Sequence, residues 1–320
     1  MGVMSSHKST AQGRAAAATL ADPESLVRFV ELLKLRSLAP STQAEYVRYL
    51  RKLAAHVGND PAQLDEAQVR AYVLHLKTAH KYSPSSMRTA CAALQNFYVK
   101  LYNRDWKLFD LVRSPDDKKL PAVLTREEIA RLFTTVREPR FQMVLRLIYA
   151  CGLRISEAIK LEVTDIKKDG PRLYIRRAKG RKDRCVPLPM WAYRELRVWW
   201  KTHRHPKWVF PGVGRGWRDG ASSPAAWAEA VEPMGDGSIQ HCMRLVVAAA
   251  RLPKGTCTHT LRHSYATHLL EEGINIRLIS AYLGHVTLET TLIYLHLTAL
   301  NEAGTHAALA RLQPPASPTS

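Results

Sequence analysis

Between residues 257 and 268 the chain reads Cys-Thr-His-Thr-Leu-Arg-His-Ser-Tyr-Ala-Thr-His; Leu283-Gly-His285 follows, and then Tyr294. Imidazoles, a guanidinium and a phenol thus crowd into a short span of otherwise apolar helix formers. Imidazole and guanidinium N–H groups donate to anionic oxygens, and a phenol becomes a nucleophile when a neighbour removes its proton. Such a set suits a pocket for a phosphate. His259 and Arg262 stand at i and i+3, so a helix puts them on one face. His263 and His268 read as packing or supporting groups of the same helix.

Two earlier stretches carry matching chemistry. In Cys151-Gly-Leu-Arg-Ile-Ser-Glu-Ala158, Gly152 permits a sharp turn and Arg154 follows it directly. Packing can pin the stem of such an arginine while its fork points outward. Glu157 lies in the first turn of the next helix, where the helix dipole alone would favour an acid. Residues 171–188 alternate as a β-hairpin. Its turn and flanks hold Arg176, Arg177, Lys179, Arg181 and Lys182, a cationic tip suited to a groove or a phosphate backbone. The cysteines at 91, 151, 185, 242 and 257 are scattered and form no CxxC pair, which argues against a zinc knuckle or a disulfide framework.

The elements that must hold these residues fall into two blocks. Residues 1–22 read as a flexible leader rich in Ser, Ala and Gly. Residues 23–110 carry four helical repeats of apolar residues, over about 23–37, 41–57, 66–79 and 85–102, with Ser41 a candidate cap of the second. Lys81, Arg88 and Lys100 lie on its basic edges as candidate nucleic-acid contacts. The Pro-bounded polar stretch 111–121 is the predicted linker. Residues 122–312 form the second block, opening on the capping-box sequence Thr125-Arg-Glu-Glu128. Helices are predicted over 190–203, from a cap at Ser238 to about 250, and over 299–311. The Gly- and Pro-rich stretch 211–236 carries a short helix at 224–231. Residues 313–320 read as a flexible tail.

At 320 residues the chain can bury two cores. Lys plus Arg outnumber Asp plus Glu by 47 to 28, and the formal charge of +19 is spread over both blocks. That balance predicts attraction to a polyanion without naming it. No continuous apolar run approaches the length needed to cross a bilayer, and the scattered cysteines make a reducing cytoplasm the expectation.

With these residues in place, the chain resembles the tyrosine recombinase (phage integrase) family over about residues 23–305. Gly152-Leu-Arg154-Ile-Ser-Glu157 is similar to the family's first arginine box, and Lys179 to its hairpin lysine. His259-Thr-Leu-Arg262-His263 resembles the second box, Leu283-Gly-His285 the third basic position, and Tyr294 the nucleophile. The resemblance implies a two-domain, mostly α protein: a helical core-binding domain, then a mixed α/β catalytic domain with a small β-sheet. It implies that Tyr294 attacks a DNA phosphodiester to give a covalent 3′-phosphotyrosine. Arg154 and Arg262 would clamp the phosphate, His285 donate another hydrogen bond, His259 serve as base or oxygen ligand, and Lys179 protonate the leaving 5′-oxygen. Glu157 and His263 would support them. No cofactor or metal is implied, since the arginines supply the positive charge.

The implied partners are double-stranded DNA with specific recombination sites and a homo-tetramer on two duplexes that passes through a Holliday junction, with a monomer as the DNA-free form. No membrane partner is expected. A mobile-element recombinase is the leading expectation. A housekeeping chromosome-dimer resolvase, a non-catalytic architectural protein and a type IB topoisomerase are the alternatives; the complete residue set weighs against the architectural protein, and the small first domain against the topoisomerase.

Overall fold

A computed structural model of the chain describes residues 23–111, 121–167, 171–176, 183–212 and 224–296. Contacts divide the chain into two compact units, residues 1–118 and 119–320.

The first unit is helical: α1 (Glu24–Leu35), α2 (Pro40–Val57), α3 (Glu66–Thr78), α4 (Pro84–Gln95) and a short α5 (Leu108–Leu111). Leu26, Phe29 and Leu33 of α1 meet Leu50 and Leu53 of α2, Leu94 of α4 and Phe97 just beyond it in one buried core. The i, i+3/i+4 spacing of these residues supplies the apolar stripe on each helix. Ser83 and Asp65 cap α4 and α3 through Ser86 N and Gln68 N. Two expectations are corrected. Ser41 is not a cap, because α2 begins one residue earlier at Pro40, whose fixed φ and missing N–H suit the first helical position. The fourth helix does not run unbroken to 102; after Gln95 it widens into a π-helical turn, Asn96–Leu101. Phe97 and Tyr98 are consecutive yet both fully buried, and the wider turn lets two adjacent rings face the core.

The second unit packs α7 (Pro139–Cys151) along α12 (Thr258–Glu271) and α9 (Met190–His203). Before α7 comes α6 (Arg126–Thr135), opened by the reciprocal capping box of Thr125 and Glu128. After it come α8 (Ile155–Ile159) and an antiparallel sheet of β1 (Ile166–Lys167), β2 (Arg172–Ile175) and β3 (Arg184–Pro187), in that order. The remaining helices are α10 (Pro224–Ala228), α11 (Asp236–Ala249), α13 (Ile276–Leu283) and α14 (Glu289–Leu292), which passes into a 3-10 turn, Ile293–His296.

Ser238 does not cap α11. The helix starts at Asp236, which places an acid in its first turn. The hairpin pairs Tyr174 with Cys185 and Ile175 with Arg184. Its tip, with Arg177, Lys179, Arg181 and Lys182, lies outside the described residues, as do residues 213–223 of the long loop and the predicted helix 299–311. Among the described residues no helix is long and apolar enough to cross a membrane.

Candidate active site

Helix α12 is the element on which the site is built. It is buried around most of its circumference, although it carries Thr260, Arg262, Ser264, Thr267 and His268 among its buried residues. Buried polar groups are tolerated when they are hydrogen-bonded, and most of these are. Ser264 Oγ donates to Thr260 O at 2.9 Å and accepts from Leu124 N at 2.9 Å. His268 Nδ1 meets the Tyr149 hydroxyl at 2.8 Å, which gives His268 the packing role expected of it.

Arg262 is only 1% exposed. Its Nη1 donates to Gly152 O and its Nη2 to Leu283 O, each at 2.6 Å. Both acceptors come from turns made by glycine. Gly152 ends α7 with φ +61° and Gly284 ends α13 with φ +63°, a left-handed conformation that disfavours other residues. A Cβ at Gly152 would also lie 2.4 Å from the Tyr265 ring. These turns therefore aim carbonyls at Arg262 while presenting Arg154 and His285.

Arg154 sits just before α8. Its Nη1 donates to Glu157 Oε1 at 2.9 Å, and its backbone N–H donates to Glu157 Oε2 at 2.9 Å. Glu157 Oε2 also lies 3.7 Å from Arg262 Nη1. A third arginine, Arg184, grips the same carboxylate with both terminal nitrogens, at 2.9 and 2.7 Å. Burial pushes the Glu157 carboxyl up, but hydrogen bonds and charge from Arg184, joined by Arg154, outweigh it and hold the group at about 2. Burial, reinforced by the charge of Arg154, lowers the Arg262 guanidinium to about 9, so it remains charged at neutral pH.

Tyr294 lies in the 3-10 turn and is 2% exposed. Its hydroxyl meets His263 Nδ1 at 2.9 Å. His263 was expected to support the site from behind, yet it is the imidazole that touches the phenol. His259 stands one ring further away, its centroid 5.1 Å from that of His263. His285 stacks 6.5 Å from the Tyr294 ring at an interplanar angle of 16°, and its Nδ1 meets Thr291 Oγ1 at 2.8 Å. Burial lowers the His263 and His285 imidazoles to about 4, and lowers that of His259. Burial raises the Tyr294 phenol, while the charges of Arg262 and Arg154 draw it back down.

Arg154, His259, Arg262, His263, His285 and Tyr294 line one cleft of about 380 Å³, together with Pro121, Thr290 and Ile293. Five of the six residues named for catalysis therefore converge; Lys179 lies outside the described residues. The cleft has two arginines, three neutral imidazoles and a phenol, a set that can bind an anion and attack it.

Among the described residues, the other basic candidates are not part of this cleft. Lys81, Arg88 and Lys100 are exposed on the first unit. Arg176 is exposed but engaged by acids, at 3.0 Å from Glu162 and 2.9 Å from Asp165, so a nucleic-acid phosphate would have to compete for it. Sequence reasoning missed Arg184. Its signal was a charge at a core-facing strand position: Arg184 and Val186 are buried, while Cys185 and Pro187 are exposed.

Comparison with known proteins agrees over both units. Residues 122–300 match the phage integrase family, and residues 26–108 match the N-terminal SAM-like domain of phage integrases. The integrase/recombinase y4qK of Sinorhizobium fredii is 33% identical over 90% of this chain and 89% of its own length. The tyrosine recombinase XerD of Caulobacter vibrioides is 30% identical over 88% of this chain and 92% of its own. In fold, the chain is similar to the Tn1549 transposon integrase in complex with a circular intermediate DNA. That likeness has a TM-score of 0.66 at 17% identity and covers 90% of this chain and 99% of the other. With two family matches in order and relatives that align over most of its length, the chain belongs to the phage integrase family, the tyrosine recombinases, and is a site-specific recombinase that cleaves and rejoins DNA through a phosphotyrosine.

Proposed function

We propose that the cleft on α12 is the strand-cleavage site, with Tyr294 as its nucleophile. The observation that carries this reading is the convergence of Arg154, Arg262, His285 and the His263–Tyr294 pair on one cavity. Arg262 uses one N–H of each terminal nitrogen on a carbonyl, which fixes its plane and leaves donors for a phosphate oxygen. Arg154, the more exposed of the two, supplies the second fork. Planar forks that stay charged at neutral pH suit the two non-bridging oxygens, and their attraction grows as charge accumulates in the transition state.

His285, fixed at Nδ1 by Thr291, offers its other nitrogen to the phosphate. His263, neutral in the DNA-free site, receives the phenolic proton as Tyr294 attacks phosphorus, and an arriving phosphate raises its basicity. His259 is then an oxygen ligand in place of the base. Lys179 is assigned the proton for the 5′-oxygen on resemblance. The bond broken is P–O5′ and the bond formed is P–Oη of Tyr294. A second 5′-hydroxyl later reverses the step without an external energy source.

Domain limits are proposed at 23–110 and 122–312, joined by 111–121. The assembly proposed is a homo-tetramer on two duplexes, acting for a mobile element. Relatives called integrase/recombinase, at 31–33% identity, stand ahead of Xer-type relatives at 29–30%. The second reading, a chromosome-dimer resolvase, is favoured by the 30% identity to XerD.

The test uses a nicked suicide duplex, its site first selected from a random-sequence library by covalent trapping on the wild-type protein. Arg154→Ala and Arg262→Ala should each slow cleavage about 10²-fold or more while changing duplex affinity only a few-fold. Equal losses in cleavage and binding would contradict the clamp.

A further inference from the structure

Arg184 does not line the cleft, yet it is bound to Glu157 and to the end of α13, which hold residues that do. Nη1 and Nη2 take the two oxygens of Glu157 at 2.9 and 2.7 Å, and Nε donates to Tyr282 O at 2.6 Å. The next carbonyl, Leu283 O, accepts from Arg262. The last turn of α13, which presents His285, is thus tied through adjacent carbonyls to two arginines. Glu157 in turn holds Arg154 through both its side chain and its backbone. One carboxylate and two consecutive carbonyls organise three guanidinium groups.

We propose that Arg184 is a positioning residue for strand cleavage: it locks Glu157 and the end of α13 so that Arg154, Arg262 and His285 hold one phosphate-ready arrangement. This inference rests on the reading of the cleft as the cleavage site.

The cost of the arrangement argues for it. Both partners are largely withdrawn from water, with side-chain exposures of 7% for Arg184 and 11% for Glu157. Strand β3 spends a core-facing position on a cation, directly paired with buried Ile175 and two residues from buried Val186. Buried ion pairs commonly contribute less to stability than apolar side chains of the same volume. A pair kept only for stability could have been replaced by apolar packing, whereas a bidentate fork fixes the orientation of a carboxylate that Arg154 and Arg262 share. The same geometry joins the hairpin strand to the arginine pocket. Movement of β3 is then felt at Arg154 and at His285 together.

The experiment compares wild type, Arg184→Met, Arg184→Lys and Tyr294→Phe in single-turnover cleavage of the selected suicide duplex, with duplex affinity and thermal unfolding measured alongside. Arg184→Met should cleave about 10²-fold more slowly, the scale of a misplaced catalytic group, with affinity within about threefold of wild type. Arg184→Lys keeps the charge without the fork, so it should recover only part of the rate. The pH profile separates positioning from packing. The groups facing Glu157 are Arg154, Arg184 and Arg262, and His259 lies within its field. Removing Arg184 takes away the strongest influence holding Glu157 ionised, so Arg184→Met should gain an acid limb in its rate profile below neutrality. The double variant Glu157→Gln/Arg184→Met should lack that limb.

Wild-type cleavage by Arg184→Met would overturn the proposal, as would a rate loss explained by lower stability with an unchanged pH profile. If Arg184→Met does not fold, Arg184→Lys decides: a wild-type rate there overturns the proposal. Cleavage by Tyr294→Phe would instead contradict the active-site reading, a result distinct from any outcome at Arg184.

Discussion

At the scale of single residues, the site is a contest between burial and charge. His203, His263 and His285 are each lowered to about 4, chiefly by burial. Their folded-state values lie below the ordinary value near 6.5, so the unfolded chain binds more protons between these limits. Stability from these groups is therefore complete above about pH 6.5 and is lost as pH falls toward 4. The thermal midpoint should drop as the buffer moves from pH 7 to pH 4.5, and a His203→Gln variant should show a shallower drop. A flat midpoint across that range would contradict burial of neutral imidazoles. The residues of the cleft were legible in the sequence because each sat in a short motif with its own spacing. The His263–Tyr294 contact was not, since the two are 31 positions apart and only the fold of α13 and the 3-10 turn brings them together. Arg184 was masked by the cationic hairpin beside it, and only its alternation with Val186 on the buried face of β3 sets it apart.

At the scale of elements, Gly152 is the most closely confined of the described glycines. A methyl group there would meet Tyr265 Cδ1 at 2.4 Å, on a backbone already at φ +61°. Gly152→Ala should destabilise the protein by about 2–4 kcal/mol, combining left-handed strain with overpacking, and it should cut cleavage further by shifting the carbonyl that holds Arg262. Denaturant unfolding checks the first effect; a loss below about 0.5 kcal/mol would show that the turn is not constrained as described. Helix identity was readable from apolar periodicity, and the edges of α9 were predicted to the residue. Helix starts were less secure where two signals competed. Pro40 displaced Ser41, and Asp236 displaced Ser238, because a capping residue must itself be non-helical and each serine lies inside a helix that has already begun. The π-helical turn after α4 had no sequence warning beyond the adjacent rings of Phe97 and Tyr98.

At the scale of the whole molecule, charge governs how the enzyme finds DNA. The formal charge of +19 is carried by both units, so phosphate contacts should be numerous. For 6–10 such contacts, duplex affinity should fall by about 10³–10⁵ between 50 and 200 mM salt. A salt titration of binding tests this, and a nearly salt-independent affinity would mean that few of these cations meet the backbone. The division into two units was readable from composition because a polar, Pro-bounded stretch separates two apolar patterns. The three-stranded sheet was only partly readable: the hairpin alternates clearly, but β1 is two residues long, too short to leave a period.

The chemistry turns on one bond, from Tyr294 Oη to phosphorus. Wild-type protein trapped on the suicide duplex in the presence of a metal chelator, digested and mapped by mass spectrometry, should carry its nucleotide on Tyr294, and Tyr294→Phe should yield no adduct. A nucleotide on any other side chain, or an adduct that survives Tyr294→Phe, would contradict it.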